Sequence, residues 1–407
     1  MMVMESESKL DTELSDEFLR RMVAWQRLED TLRNGNQVVD LKLLEIEPGE
    51  EDNFPDRESV KNWLEDHIAR TPPNSAGVKH AQRCDGLLAF SEAVLGKRES
   101  LGVYLSRTLG VTPAAIPDSE IREQRDRVVG LFSNLGFAFN EAGWRRYQEA
   151  EPPTREKTKA AVLDAEQRVI PIVLETINRS DLPLDFDTRV VRRNRPWISR
   201  IIGGPDRFSH EINFHPRNRF RYFMGLEEPL EAHELVYHLV QALCLRENIR
   251  SGVLSRDYAI TTIPGIEQMP NESMAQAMPF FVPEILERMS PYGRFALEYG
   301  VLRDMVLNRN ALIFANADGY SDEWIKAYTL DYLPGQPPEK IVSEFIPLRR
   351  DDPRYRSYYY SYSGSHELRK EAEDMTDEQR RRVITYAYNH QPGYSELASF
   401  IEQQKTA

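Results

Sequence analysis

Apolar residues in the first part of the chain recur at helical spacing. Phe18, Leu19, Met22, Val23, Trp25, Leu28 and Leu32 share one face of a 3.6-residue repeat. Ser15 stands where a cap would, and Asn34-Gly35-Asn36 reads as a stop. Similar faces recur at 60–68, 81–95 and 101–109, each bounded by Gly, Pro or Asn. After Pro152-Pro153-Thr154 a long pattern runs through Ala160, Leu163, Val169, Val173 and Ile177, and Pro171 within it predicts a kink or a split. From 186 to 215 the chain turns to Val, Ile, Phe and Arg around Gly203-Gly204-Pro205, which predicts two or three short strands in a small antiparallel patch. Helical periodicity returns at 229–241, 272–288, 292–308, 322–330, 338–345 and 365–387. The expectation is a mainly α chain. It has a frayed start (1–12), a helical N-terminal half (13–184) and a second half (185–407) with strands at 185–216, then helices; the two halves form one unit. Residues 403–407 are expected to fray.

Composition narrows the function classes. The 407 residues carry 52 Lys and Arg against 65 Asp and Glu, a net charge of −13, which disfavours nucleic-acid binding because phosphate contacts need a basic stripe. No apolar run approaches the ~18 residues of a membrane span. Cys84 and Cys244 form neither a disulfide framework nor a thiolate zinc site on their own, and two reduced buried thiols are expected. The first residues hold no basic, then apolar, leader pattern, so the expected compartment is the cytoplasm.

The segment that carries chemistry is Glu231-Ala232-His233-Glu234-Leu235-Val236-Tyr237-His238. A zincin helix carries H-E-x-x-H because residues four apart stack, so both imidazoles reach one metal while the Glu polarises its water. Here the spacing is H-E-x-x-x-H, and five steps of ~100° carry His238 about 140° round an ideal helix from His233. Both reach one ion if a π-bulge absorbs the extra residue. Without a bulge, Glu231, Glu234 and His238 share one face, a carboxylate-rich set suited to iron or manganese. A surface helix with two ordinary histidines has the same spacing.

Upstream, alternation in Ser209–His215 places Glu211, Asn213 and His215 on one face of a strand, either as a substrate ledge or as the solvated side of an edge strand. Downstream, Asn271 reads as the cap of a helix with Glu272 in its first turn, 34 residues after His238. Near the C-terminus, 355–362 holds five tyrosines in eight positions, donors for an oxyanion or plain packing residues.

In this order the segments resemble the large α-helical gluzincin metallopeptidases. The likeness is to bacterial HExxPGHH-type carboxypeptidase-like proteins, distant relatives of the HExxH carboxypeptidases of the Taq type. It spans about 195–372. The Pro-Gly and doubled His are missing, and the His-to-His spacing is one shorter than in that family and one longer than in HExxH. The resemblance implies a large helical fold with its β patch beside an active-site cleft, and an edge strand ending at Asn213 before the metal helix. It further implies zinc held by His233, His238 and Glu272, Glu234 as catalytic base, and a catalytic tyrosine, Tyr360 or Tyr362. Glu211, Asn213, His215 and Arg356 are the substrate-binding candidates. The implied activity is hydrolysis of a peptide or small amide. The alternatives are a biosynthetic lyase or an iron or manganese oxygenase on the same scaffold, or a non-catalytic binding protein. A small molecule or short peptide is the expected partner, with no nucleic acid and no membrane.

Overall fold

A computed structural model describes residues 10–150, 154–193, 198–204, 207–213, 225–316, 321–353 and 355–406. Among these the chain is predominantly helical, with two small sheets. The N-terminal pattern forms α1 (Thr12–Thr31), which buries Phe18, Leu19, Met22 and Trp25. Its cap is Asp11, accepting from the backbone of Glu13 and Leu14, and Ser15 lies inside the first turn, buried. Leu10 is buried as well, so order begins before the expected frayed segment ends. α2 (Arg57–Arg70) and α3 (Ser75–Val94) follow as an antiparallel pair, capped by Asp56 and Asn74. At the other end, Tyr394–Thr406 is helical through residues expected to fray. The 365–387 pattern divides in two at Thr376, which opens the helix Asp377–Asn389 in a reciprocal capping box with Gln379.

The sheet prediction holds in place and fails in topology. Strands β2 (Phe186–Val191), β3 (Ser199–Ile202) and β4 (Phe208–Asn213) form one sheet in the order β2-β4-β3. β4 is central, parallel to β2 and antiparallel to β3, so it is not an edge strand and the patch is mixed. β4 has a neighbour on each edge, and its residues pointing to both faces, His210, Glu211, Ile212 and Asn213, are all buried. A second sheet, absent from the sequence reading, pairs β1 (Val39–Lys42) antiparallel with β5 (Ile260–Thr262).

One hydrophobic cluster draws on both halves of the chain. Phe18, Trp25 and Leu64 pack in it with Leu235, Val236, Leu239, Met274, Met278 and Ile384. A second is centred on the helix Pro291–Asn316 and gathers Phe132, Trp144, Phe295, Tyr299 and Phe345. The site helix, 227–250, is thus held by its apolar side, with its polar side free to carry chemistry. No helix among the described residues is long and apolar enough to cross a membrane.

Candidate metal centre

The middle of the site helix, Ala232–Leu239, is π-helical between α-helical segments Glu227–Glu231 and Val240–Arg250. In a π turn the hydrogen bond closes to the fifth residue, so residues five apart come to one side. His233 and His238 do so: their Nε2 atoms lie 3.1 Å apart, and the rings meet edge to face at 4.7 Å. Packing around the wide turn supports it. The Tyr388 hydroxyl donates to the Val236 carbonyl at 2.6 Å. Gln241 Nε2 donates to the Ala387 carbonyl and to Asn271 Oδ1.

Glu272 arrives from the helix Gln268–Phe281. That helix starts earlier than expected, so Asn271 is inside it rather than capping it, and Pro270 occupies the first turn, where no backbone donor is needed. Glu272 Oε1 accepts from Gln268 Nε2 at 2.9 Å. Its Oε2 lies 3.2 Å from His233 Nε2 and 3.6 Å from His238 Nε2, and is buried without a hydrogen bond. Three donor atoms of the kinds zinc takes therefore converge, two imidazole nitrogens and one carboxylate oxygen. The residues present fit a zinc-class ion.

Charge is concentrated at this point. Burial opposes ionisation of Glu272, but the charge of His238 and the close approach of both imidazoles hold its carboxyl below the usual range. Burial likewise opposes charging His238, yet Glu272 and then Glu234 carry its pKa up to about 9. Glu234 is half-buried, and its pKa is raised by desolvation and by Glu272 against the pull of the two histidines. A carboxylate shifted toward neutrality is what a general base near neutral pH requires. Asp40, on β1, was not anticipated: its pKa reaches about 7, first through desolvation and then through Glu272, with His238 opposing and Glu234 adding.

The tyrosines separate by face. Tyr362 stacks on His233 at 6.0 Å and donates to the Tyr358 hydroxyl at 3.0 Å. Both phenols are held protonated by burial and by Glu272. Tyr360 points away from the cluster; its hydroxyl donates to the Ala114 carbonyl. Close approach of this segment to the Glu272 helix needs Gly364, because a Cβ there would come within 2.7 Å of Ser273 Oγ.

Other candidates are placed elsewhere. Glu211 is clamped by Arg193 and Arg200, each at 2.7 Å, and Asn213 is tied to the Arg193 backbone through both ends of its amide. Arg193, just past β2, and Arg200 of β3 occupy the groups that alternation aimed at a substrate. Arg356 is buried over the Tyr104 ring at 3.3 Å. His215 lies outside the described residues. Glu231 is buried with both oxygens unpartnered, 3.8 Å from His210 Nδ1, so it does not join His238 in the alternative metal set. It lines a cavity of about 470 Å³ beside the site helix, together with Asp164 and Glu227.

No family model matches the chain, and no curated protein does. Among solved structures it is similar to a candidate lipoprotein from Colwellia psychrerythraea, with 12% identity and a TM-score of 0.45, over 85% of this chain and 56% of that one. It is similar to PZ peptidase A bound to an inhibitor, with 11% identity and a TM-score of 0.36, over 96% and 71%. A candidate oligoendopeptidase F from Bacillus anthracis gives 11% and 0.35, over 96% and 69%. The chain thus spans little more than half the length of the first. At these identities and scores the reaction has to be argued from the residues themselves.

Proposed function

We propose that this protein is a metal-dependent hydrolase, with zinc as its ion, acting on a peptide or small amide. The observation that carries the reading is the widened turn that turns an H-E-x-x-x-H spacing into two converging imidazoles, opposite a buried Glu272 oxygen that lacks a hydrogen bond. His233, His238 and Glu272 would hold the ion. A zinc-class ion supplies a Lewis acid that acidifies water and polarises a carbonyl.

The remaining work falls to the chain. Glu234 takes the proton from the attacking water and returns it to the leaving nitrogen. Tyr358, protonated and accepting from the Tyr362 hydroxyl, donates to the oxygen that gains charge as the carbonyl carbon becomes tetrahedral. Asp40 presents a carboxyl whose oxygens would accept from an N–H group of the substrate. The excess of carboxylates, Asp40 and Glu234 beside Glu272, also supports a second reading, an iron or manganese enzyme on the same residues.

Metal analysis of untagged protein purified without chelators tests both readings. Zinc near one equivalent or more, lowered by about one equivalent in the His238→Ala variant, together with amide cleavage in a peptide panel, supports the hydrolase. Iron or manganese would favour the second reading, and the absence of any ion would overturn both.

A further inference from the structure

We propose that His67, His80 and Cys84 form a second metal site, for a zinc-class divalent ion, inside the N-terminal helical layer. His80 and Cys84 stand four apart on α3 and so share a face, and His67 meets them from the last turn of α2. His67 Nε2 is 2.9 Å from His80 Nε2, and Cys84 Sγ is 3.5 Å from the same nitrogen. All three side chains are buried.

The tautomer of His80 makes the convergence informative. Its Nδ1 lies 3.1 Å from Asp257 Oδ2, and a proton held there leaves Nε2 with a single inward lone pair. Two groups, an imidazole and a thiol, then aim at that one lone pair. A hydrogen bond satisfies one of them, whereas a cation at the point of convergence accepts all three. A carboxylate behind a ligating imidazole is also the usual outer support of a metal site. Tetrahedral zinc with bonds of ~2.0–2.1 Å to nitrogen and ~2.3 Å to sulfur sets N···N near about 3.3 Å and N···S near about 3.6 Å. The N···S distance already fits, and the N···N distance needs an opening of about 0.4 Å.

The surroundings agree with a structural ion. The Phe18 ring of α1 closes on His80 at 4.8 Å, edge to face. A cavity of about 280 Å³, lined by His80, Asp257, Lys79 and Glu267, lies beside His80. An ion here would fasten α2 to α3 and, through the His80–Asp257 contact, support the segment Arg256–Ala259, which runs directly into β5 and the sheet that carries Asp40.

Cobalt reconstitution of the chelator-treated full chain tests this site separately from the first. The centre at His233 contains no sulfur, so a thiolate-to-cobalt charge-transfer band in the near ultraviolet reports a cysteine ligand alone. Wild type is expected to bind about two equivalents and to show the band. A His233→Ala, His238→Ala double variant is expected to keep the band with about half the cobalt, and Cys84→Ala to lose it with a similar loss. Cys244→Ala, at the other buried thiol, is expected to retain it. A folded wild type without the band, or a band that follows Cys244, overturns the proposal and leaves the proposed hydrolase untouched. Because wild type alone can overturn it, a poorly folding variant does not shield it.

Discussion

Two histidine–glutamate pairs flank the site helix, and they take opposite charge states. His238 with Glu272 is driven toward imidazolium and carboxylate, whereas His210 with Glu231 is driven toward neutrality on both sides. The contacts differ little, 3.6 Å in the first pair and 3.8 Å in the second. The support differs a great deal. Glu272 has two imidazoles and an amide donor from Gln268, while Glu231 has no hydrogen bond at all and like-charged Glu234 and Glu227 near it. Taking a charge out of water requires several compensating groups rather than one. The centre that can hold a cation is therefore the one whose carboxylate is already surrounded by donors. A glutamate three residues before the catalytic candidate acts as packing.

The sharpest test of this contrast sets Glu234→Gln against Glu231→Gln. Glu234→Gln is expected to lose hydrolysis by ~10²–10⁴-fold while keeping its metal, because the inner ligands remain and only the proton acceptor is gone. Glu231→Gln is expected to keep activity within about threefold, since replacing a neutral acid by a neutral amide moves no charge. Metal content after dialysis against a mild chelator reads the first half without knowledge of the substrate. Equal losses in both variants would erase the distinction.

Metal affinity gives the next effects. Glu272→Gln replaces an anionic donor by a neutral one and is expected to weaken binding by more than ~100-fold, beyond what an outer-shell change achieves. Gln268→Ala removes only the donor to Glu272 Oε1, and ~10–100-fold is the expected range. Competition with a chromogenic chelator ranks the two; Gln268→Ala matching wild type would show that the amide does not orient the carboxylate.

How much of this was legible in the chain depends on how far apart the partners lie. Three described segments are π-helical, and two of them, Ala165–Val169 and Ile341–Phe345, end two residues before Pro171 and Pro347. A proline disturbs the ladder before it, so those widenings have a local cause in sequence. Ala232–Leu239 has no proline after it, and only the five-residue histidine spacing announced it. The tyrosines were readable in principle. Tyr358 and Tyr362 are four apart in a helical stretch, Arg356–Tyr360 running on into Ser361–Gly364, with Tyr360 on the other side. Treating 355–362 as a composition rather than a helix hid that. Asp40 and the arginines around Glu211 were out of reach, because β1–β5 pairing and the β2-β4-β3 order bring them in from distant positions. Alternation gave the strand; it could not show what covers each face.

The smallest expected effect is on stability, and its sign follows from the neutral pair. Glu231 has a folded pKa raised well above 4.5 by burial, so its contribution is fully present below about pH 4.5 and fades as pH rises. His210, buried with Ser199 Oγ at 2.7 Å, has its pKa lowered from 6.5 to about 3 by desolvation. Its contribution is present above pH 6.5 and is lost as pH falls toward 3. Near neutral pH the wild type thus carries an acid whose ionisation favours unfolding. Glu231→Gln removes that term, and a gain in stability at pH 8 that shrinks below about pH 5 is expected. Denaturant unfolding of chelator-treated protein at several pH values measures it without interference from bound metal. If Glu231→Gln is instead destabilised at pH 8, the carboxylate is ionised and partnered in the folded chain, and the two flanking pairs are alike after all.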